Sequence, residues 1–286
     1  MTTVATVWRK NPIIAAVRQV PLYVVASLIA VLAAFPFAFM VLASFKGQGE
    51  FLANPFWLPQ DVTLANFGGL LTPQFGTYFL NSIIAAAVTV TATVVLGTLA
   101  AYPLARMKLK LNGVVLIIFL AGMMVPIHVT LLPIYVLTQD LGIFDSLPAL
   151  FGPLTAFSLP ITIYVMVNFF RQIPEAIISA ARIDGAGPWT VFRQILLPLS
   201  GPAISTVAII NFISVWNEFI FPLILLNTTA NYTLPLGLSD FSAQFRIDVP
   251  GTMAALVLAS IPTILFFLVA QEKVVSGLAA GALHGE

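Results

Sequence analysis

The sequence predicts an all-α polytopic membrane protein with about six membrane-spanning helices. Hydrophobic residues make up 59% of its 286 residues and charged residues only 8%, whereas a soluble domain has about 45–50% and about 25%. The apolar stretches are about 20 residues or longer, the length that crosses a hydrocarbon layer of roughly 30 Å. A water-soluble fold could not bury so much apolar surface.

Six apolar stretches are long enough to be candidate spans. They are residues 22–43, 79–102, 113–135, 148–170, 201–225 and 251–271. The first follows basic residues, as a secretion signal would, but its apolar run is too long for that interpretation. We therefore expect an N-terminal segment (1–21), a transmembrane region (22–271) and a C-terminal tail (272–286).

The basic residues predict an orientation. Of the 12 Lys and Arg residues, all but Lys46 and Arg246 flank the same side of the predicted spans. The positive-inside rule therefore places both termini and the loop at 171–200 in the cytoplasm. A net charge of only +1 with dispersed basic residues argues against nucleic-acid binding.

Proline interrupts the third span. Pro126 and Pro133 lie in it or just after it, and proline in a membrane helix frees a carbonyl that neighbours must satisfy. We expect a kink, or an end near Pro133. The connecting stretches 44–78 and 226–250 are rich in turn-forming residues, which predicts ordered turns or short interfacial helices.

A polar, patterned segment follows the fourth span at residues 173–198. Pro174 suits a first helical position, residues 184–187 break the helix, and Pro188 can begin another. The segment therefore predicts a compact hairpin of two helices joined by a sharp turn.

This hairpin resembles the EAA loop of the permease subunits of ATP-binding-cassette importers, which reads Glu-Ala-Ala, three residues, Gly, and ends on Leu-Pro. The matching residues are Ala180-Ala181-Arg182-Ile183-Asp184-Gly185-Ala186 and Leu197-Pro198. The resemblance implies a type I importer permease fold, in which the cytoplasmic hairpin couples to a separate ATPase and moves as a rigid lever.

Within this resemblance the small residues of the hairpin have distinct roles. The resemblance implies that Ala180 and Ala181 would let the first helix lie close in a cleft of the ATPase. Gly185 allows the sharp turn, since it has no Cβ penalty at positive φ. Asp184 caps or braces that turn, and Ala186 completes the motif.

The motif departs from the family pattern at Ser179, where the family usually has its glutamate. Glu175 lies four residues earlier on the same helical face and is a candidate to replace the acidic contact with the ATPase. A serine hydrogen bond, or no polar contact, is the alternative.

Further pieces extend the resemblance to nearly the whole chain, and all are similar to MalG-like sugar permeases. They are Met-x-Pro, Leu-Pro-Ile-Tyr and Leu-Gly-Ile-Phe-Asp within 123–148, Asn81-Ser82, Trp216-Asn217-Glu218-Phe219, and the tail 276–282. The resemblance implies a carbohydrate substrate, a prokaryotic plasma (inner) membrane, and three partners besides lipid: a homologous MalF-like permease, an ATPase dimer and an extracytoplasmic substrate-binding protein. ATP and Mg would be bound by the ATPase, and no cofactor is expected in this chain.

The fifth span contains a polar stripe. Glu218 is the only acidic residue deep inside a predicted span, where a charge costs about 3 kcal/mol. Asn217 precedes it, and Asn211 lies two helical turns earlier on the same face. These residues either line a path and bind sugar hydroxyls or hydrogen-bond to a partner helix. Trp216 is available for stacking on a sugar ring, although packing is favoured for it.

Catalytic motifs are absent from the sequence. It has no P-loop, no His-Glu-x-x-His and no Gly-x-Ser-x-Gly element, so we expect no ATP hydrolysis by this chain and no catalytic residue. With no cysteine there is no disulfide and no thiolate metal site, and no metal ligand is predicted.

Two other classes stay open. An ion-coupled secondary transporter would use Glu218 and His128 as a coupling pair, but the sequence shows no clear inverted repeat, and for His128 a structural or path-lining role is favoured because no carboxylate is nearby in sequence. A non-transporting scaffold would use the hairpin for docking and leave Glu218 unexplained.

Overall fold

The structure, a computed structural model, describes residues 12–107, 110–244 and 248–282, and the side chains of 20–107, 110–239 and 248–268. Most of the predicted N-terminal segment, Lys108, Arg246 and the last residues of the tail lie outside these ranges.

The described backbone is helical, with no strand. Its α-helices are α1 (Pro12–Ser44), α2 (Gln48–Ala53), α3 (Ala65–Leu70), α4 (Pro73–Arg106), α5 (Asn112–Gly122), α6 (Ile127–Asp140), α7 (Pro148–Gln172), α8 (Glu175–Ile183), α9 (Pro188–Val191), α10 (Leu197–Leu199), α11 (Gly201–Trp216), α12 (Ile220–Leu225), α13 (Leu234–Gln244) and α14 (Val249–Ala282). A π-helical turn (Phe192–Leu196) joins α9 to α10, and a 3₁₀ turn (Thr229–Asn231) precedes α13.

Long apolar helices confirm the predicted membrane class. Val20–Ser44, Pro73–Arg106, Pro148–Gln172 and Val249–Leu268 are each long and apolar enough to cross a membrane. Two bent pairs of helices raise the number of spans to as many as six within the described residues. The predicted spans therefore overlap observed helical segments, but the second bent pair is Pro188–Leu199 with Gly201–Trp216 at 73°, so it begins within the predicted hairpin rather than at residue 201.

The third span is bent as expected from its prolines. α5 and α6 meet at an angle of 91°, and the break lies between Gly122 and Ile127. Pro126 occupies the position just before α6, where its missing N–H costs no helical hydrogen bond. Pro133 lies inside α6 and does not end it.

The predicted fifth span (201–225) is wrong as a continuous helix. α11 ends at Trp216, and α12 begins only at Ile220. The Asn217 backbone has φ −91° and ψ 3°, so helical geometry is lost there. Consequently Asn211 and Glu218 do not lie on one face of a single helix, and the stripe predicted from that geometry does not exist as such.

One compact unit contains residues up to Gly69 and the beginning of α14, up to Val257. Its α1 exposes apolar side chains on every side over most of its length. The segment after α1 is ordered by Lys46, which is fully buried and whose Nζ donates to the carbonyl oxygens of Asn54 (2.7 Å) and Pro55 (3.1 Å). The expected short helices are present here as α2 and α3.

The second unit, which contains α4 to α13, is built around α4 and α7. These two helices form the most extensive helix contact of the described residues, and α11 packs on both. Gly97 of α4 permits the close approach, since a Cβ at this position would lie 2.6 Å from Cγ2 of Thr162 on α7. Close approach at small residues is how membrane helices gain packing energy without a hydrophobic driving force.

Candidate functional site

The hairpin predicted between the fourth and fifth spans is present. α8 and α9 form its two arms, and the turn between them contains Gly185 at φ +84°, a backbone conformation that glycine adopts at little cost. Pro188 is the first residue of α9, as predicted, while Pro174 lies just before α8. The backbone of residues 175–191 is therefore helix, sharp turn and helix, while its role as a coupling hairpin stays a prediction.

Most of the hairpin surface faces outward. Only Ile178 of α8 is buried, whereas Ser179, Ala180, Asp184 and Gly185 are exposed, and Ala181 and Ala186 are partly buried. The turn opens into a concave pocket of about 400 Å³. Its lining residues are Ala181, Asp184, Gly185, Ala186, Thr190, Gln194 and Ile195. Four of the predicted coupling residues, Ala181, Asp184, Gly185 and Ala186, thus line one pocket, while Ser179, Ala180 and Glu175 are exposed but outside its lining.

Glu175 lies in the first turn of α8 and is paired within its own chain. Its carboxylate accepts a hydrogen bond from Arg106 Nη1 at 2.9 Å and from Arg182 Nη1 at 3.4 Å. Arg106 Nη2 also donates to the carbonyl oxygens of Phe170 and Ile173 at the end of α7. The Arg106 side chain is only 10% exposed. Arg106 therefore joins α4, the end of α7 and the start of the hairpin.

Tyr102 holds the second arm of the hairpin. Its hydroxyl donates to the carbonyl oxygen of Pro188 at 3.0 Å, and its ring lies 5.3 Å from that of Phe192. Phe192 in turn packs against Trp189, at 5.3 Å between ring centroids. Tyr102 was not predicted from the sequence, and Arg106 was used only as one of the charges that flank the spans. The two residues are four apart at the end of a predicted span, and this spacing is the signal by which they could have been identified.

The polar residues of the fifth span separate into buried and accessible groups. Asn211 is buried and donates to Thr162 Oγ1 on α7 at 2.8 Å. Trp216 is also buried, and its indole N–H donates to the carbonyl oxygen of Ala259 at 3.0 Å. Trp216 packs against Phe79 and Phe212. Both residues are thus engaged in the protein interior, and the ring of Trp216 is not free to stack on a ligand.

Asn217 and Glu218 lie in the break after α11. Asn217 is exposed, and its amide donates to the carbonyl oxygen of Ile213. Glu218 is partly buried, and its Oε1 accepts from the backbone N–H groups of Ile220 (2.8 Å) and Phe221 (3.2 Å). Carboxylates are stabilised at a helix N-terminus by its free N–H groups. Glu218 therefore caps α12, and this capping explains the presence of an acidic residue within the predicted apolar span.

His128 is exposed in the first turn of α6. With Glu218 bound to backbone amides of α12, neither side chain shows a contact that would make the two a proton-coupling pair. Over the part of the chain that the structure describes, no group of three or more His, Cys, Asp or Glu residues could hold a metal ion.

A second polar cluster lies at the end of α7 remote from the hairpin. Asp145, just before α7, has φ 55°, and its Oδ1 accepts from the backbone N–H groups of Asn227 (2.7 Å) and Thr228 (2.9 Å). Burial raises the pKa of Asp145, but the hydrogen bonds from Thr228, Asn227 and Asn231 outweigh it and lower the pKa to about 2. Asp145 therefore clamps the segment that follows α12.

The same segment is held from α4. The Asn81 amide donates to the carbonyl oxygens of Ala230 and Tyr232, both at 2.9 Å, and Ser82 Oγ accepts from the backbone N–H of Leu234 at 2.8 Å. Asn81-Ser82 and Leu-Gly-Ile-Phe-Asp145 are two of the pieces that carried the family resemblance. Both turn out to fix residues 227–234.

Comparison with known proteins gives consistent results. Residues 93–279 match the family model described as binding-protein-dependent transport system inner membrane component. The chain is 42% identical to the putative ABC transporter permease protein ORF2 of Caldicellulosiruptor sp. (strain Rt8B.4), over 87% of this chain and 91% of that protein. It is 34% identical to the trehalose/maltose transport system permease protein MalG of Thermococcus litoralis, over 94% and 98% of the two chains.

The fold has a counterpart among solved structures. A chain of a bacterial ABC transporter involved in the import of the acidic polysaccharide alginate superposes with a TM-score of 0.75. The match covers 92% of this chain and 97% of that chain at 23% sequence identity. This likeness shows that the two chains share a fold.

Proposed function

Because this chain belongs to the family of binding-protein-dependent transport system inner membrane components, we propose that it is the permease subunit of an ATP-driven carbohydrate importer. The observation that carries the proposal is the exposed hairpin with Gly185 at its turn, held to α4 and α7 by Arg106. The carbohydrate class is supported by the Thermococcus litoralis relative, which is named as a trehalose/maltose permease.

The coupling surface consists of the accessible residues around the hairpin turn. These are Ser179, Ala180, Ala181, Asp184, Gly185 and Ala186. Their exposure and the concave pocket beside them support docking into a cleft of a separate ATPase. That ATPase binds ATP and Mg, and this chain has no catalytic role.

Glu175 acts inside this chain in the proposed mechanism. Its ion pairs with Arg106 and Arg182 support a role in fastening the hairpin rather than in contacting the ATPase. Ser179 is exposed at the family's glutamate position and is left to make a hydrogen bond to the ATPase or no polar contact.

The hairpin transmits its movement through α4 and α7. Arg106 fastens the first arm to both helices, and Tyr102 fastens the second arm to α4. Helix α7 then runs from the hairpin to Pro148, next to Asp145. A rigid-body shift of the hairpin would thus reach the opposite end of the unit and alternate access to the path.

The path is formed with a homologous MalF-like permease. Asn217 and Glu218 are path candidates because they lie at an interruption between helices, where backbone irregularity in membrane proteins commonly lines cavities. Asn211 and Trp216 support the path from inside the protein, and His128 is an accessible candidate on α6. An extracytoplasmic binding protein delivers the substrate at the Pro148 end of α7, beside Asp145.

The proposed layout follows from the distribution of basic residues. Residues 1–21 and 272–286 lie in the cytoplasm, residues 22–271 contain the membrane spans, and the hairpin faces the ATPase on the cytoplasmic side of a prokaryotic plasma membrane.

Co-purification tests the proposal. The tagged chain is purified from its host in mild detergent, and the bound proteins are identified by mass spectrometry. We expect stoichiometric recovery of an ATPase and a second permease, with an untagged strain as the background control. Gly185→Trp should reduce recovery of the ATPase, whereas Gly49→Trp, at an exposed glycine of α2 with open space around it, should not. Recovery of the chain alone, active in liposomes without ATP, would overturn the proposal.

A further inference from the structure

An uncharged apolar turn follows α2. Phe56, Trp57 and Leu58 are 76%, 68% and 62% exposed. The stretch from residue 51 to residue 59 contains no charged side chain. Three adjacent large apolar side chains in water would form the kind of patch that soluble surfaces seldom leave uncovered.

The turn lies beside the membrane helix rather than beyond its end. The ring of Phe56 is 5.4 Å from that of Phe39, and the ring of Phe51 is 6.3 Å from the same ring. Phe39 is five residues before Ser44, the last residue of α1, which corresponds to about 7.5 Å along the helix. The chain therefore folds back along the last turns of α1.

The length of α1 indicates how deep in the bilayer this turn lies. The apolar part of α1, Val20–Ser44, has 25 residues and is therefore about 37 Å long, compared with roughly 30 Å of hydrocarbon. A centred helix extends about 4 Å beyond the hydrocarbon at each end, so Phe39 lies close to the boundary between acyl chains and headgroups. The turn that packs on Phe39 is at the same level.

Polar contacts hold the turn in this position. Lys46 binds the carbonyl oxygens of Asn54 and Pro55, immediately before Phe56. The amide of Asn66 donates to the carbonyl oxygens of Ser44 and Lys46, both at 2.8 Å. The apolar turn is therefore presented on an ordered support.

We propose that Phe56, Trp57 and Leu58 form an interfacial anchor that inserts into the bilayer at the Ser44 end of α1. Trp57 suits the headgroup level, since tryptophan concentrates at membrane–water interfaces. The lipid surface is the occupant because the turn lies laterally against a membrane helix and carries no charge. The anchor fixes the depth of α1 and of the segment built around Lys46.

The absence of cysteine from this chain makes a direct test possible, because a single introduced cysteine is its only thiol. Trp57→Cys is labelled with a nitroxide, and the chain, with the subunits that co-purify, is reconstituted in phosphatidylcholine bilayers. Electron paramagnetic resonance power saturation then compares access to oxygen, which partitions into lipid, with access to a water-soluble nickel chelate. We expect the label to favour oxygen, at a depth shallower than a label at Leu28→Cys in the middle of α1.

Trp189→Cys on the hairpin is the matched control, recorded after the ATPase has been stripped from the complex so that the hairpin is open to water, because it replaces the same residue type at a similar exposure of 61%. Its label should favour the nickel chelate. If Trp57→Cys does not yield folded protein, Leu58→Cys reports from the next position with Trp57 retained. Equal access of the nickel chelate to the labels at residues 57 and 189 would overturn the proposal. A label at the turn that protein shields from both oxygen and the chelate would also overturn it.

Discussion

Tyr102 and Arg106 lie one helical turn apart on α4, and each holds a different arm of the hairpin. Tyr102 binds the carbonyl oxygen of Pro188 at 3.0 Å, and Arg106 binds the carboxylate of Glu175 at 2.9 Å. Residues four apart project from the same face of a helix. One face of α4 therefore contacts both arms of the hairpin.

Arg106→Ala should loosen the hairpin. The substitution removes the guanidinium donor from the carbonyl oxygens of Phe170 and Ile173 and leaves the Glu175 carboxylate with only its longer contact to Arg182. Lost hydrogen bonds at a partly buried site cost about 1–3 kcal/mol. We expect substrate-stimulated ATP hydrolysis to fall while the ATPase still co-purifies. Arg182→Ala removes the exposed, longer contact to the same Glu175 and should have little effect. Equal losses in the two variants would contradict a special role for Arg106.

Gly185→Ala should strain the turn of the hairpin. At φ +84° a side chain costs about 1–2 kcal/mol. Gly187 lies two residues further in the same turn at φ −71°, so Gly187→Ala meets no such penalty. Transport rates of the two variants in proteoliposomes give the comparison, with an appreciable decrease expected only for Gly185→Ala. A normal rate for both would show that the backbone of Gly185 does not matter for coupling.

Asp145→Asn should weaken the clamp on residues 227–231 at neutral pH. Because the pKa of Asp145 in the folded chain is about 2, below its ordinary value of 3.8, its carboxylate stabilises the folded state above about pH 4 and loses that contribution as the pH falls toward 2. The stability difference between wild type and variant should therefore be constant near neutrality, on the order of 1 kcal/mol, and shrink below pH 4.

Thermal unfolding in detergent across this pH range measures the difference. Asp140→Asn, at the exposed end of α6, is the control and should follow wild type. A difference for Asp145→Asn that persists unchanged at pH 2 would count against the clamp as described.

Gly97→Ala should separate α4 from α7. The new methyl group would lie 2.6 Å from Thr162 Cγ2, and overpacking of this kind costs about 1–3 kcal/mol. Gly76, in the same helix, has nothing within 4 Å of an added Cβ, so Gly76→Ala should be neutral or stabilising by up to about 1 kcal/mol. Thermal unfolding midpoints of the two variants test this prediction. A lower midpoint for Gly76→Ala but not for Gly97→Ala would contradict the close contact of α4 and α7 at Gly97.

Asn211→Leu tests whether Asn211 is structural or contacts the substrate. Its bond to Thr162 predicts that Asn211→Leu and Thr162→Val lower stability non-additively, with a coupling of about 0.6 kcal/mol typical of membrane helices. The apparent affinity for substrate should stay the same in both. A selective loss of substrate affinity in Asn211→Leu would instead place this residue in the path.

Local signals in the sequence predicted much of the fold. Apolar length located the membrane spans, because the hydrocarbon thickness sets that length directly. The prolines near residue 126 predicted the bend, and the glycine at 185 predicted the turn, since both residues restrict or permit backbone geometry on their own.

Contacts between distant segments were not predictable in the same way. Nothing adjacent in sequence links Arg106 to Glu175 or Asp145 to Asn227, because these pairs meet only after α4, α7 and α12 have packed. The break at residue 217 was missed since the fifth span is apolar on both sides of it, and hydropathy does not report helix continuity. Glu218 was the available hint, as its side chain caps the helix that follows.

The 91° bend between α5 and α6 bears on how this chain is made. The 11 residues of α5 and the 14 residues of α6 reach about 16 Å and about 21 Å, so neither alone bridges the roughly 30 Å of hydrocarbon. α5 packs on α7, and α6 packs on α12, both of which leave the ribosome later. α5 can already pack on α4, which is synthesised before it, whereas the remaining packing of the third span has to wait until α7 and α12 have been made.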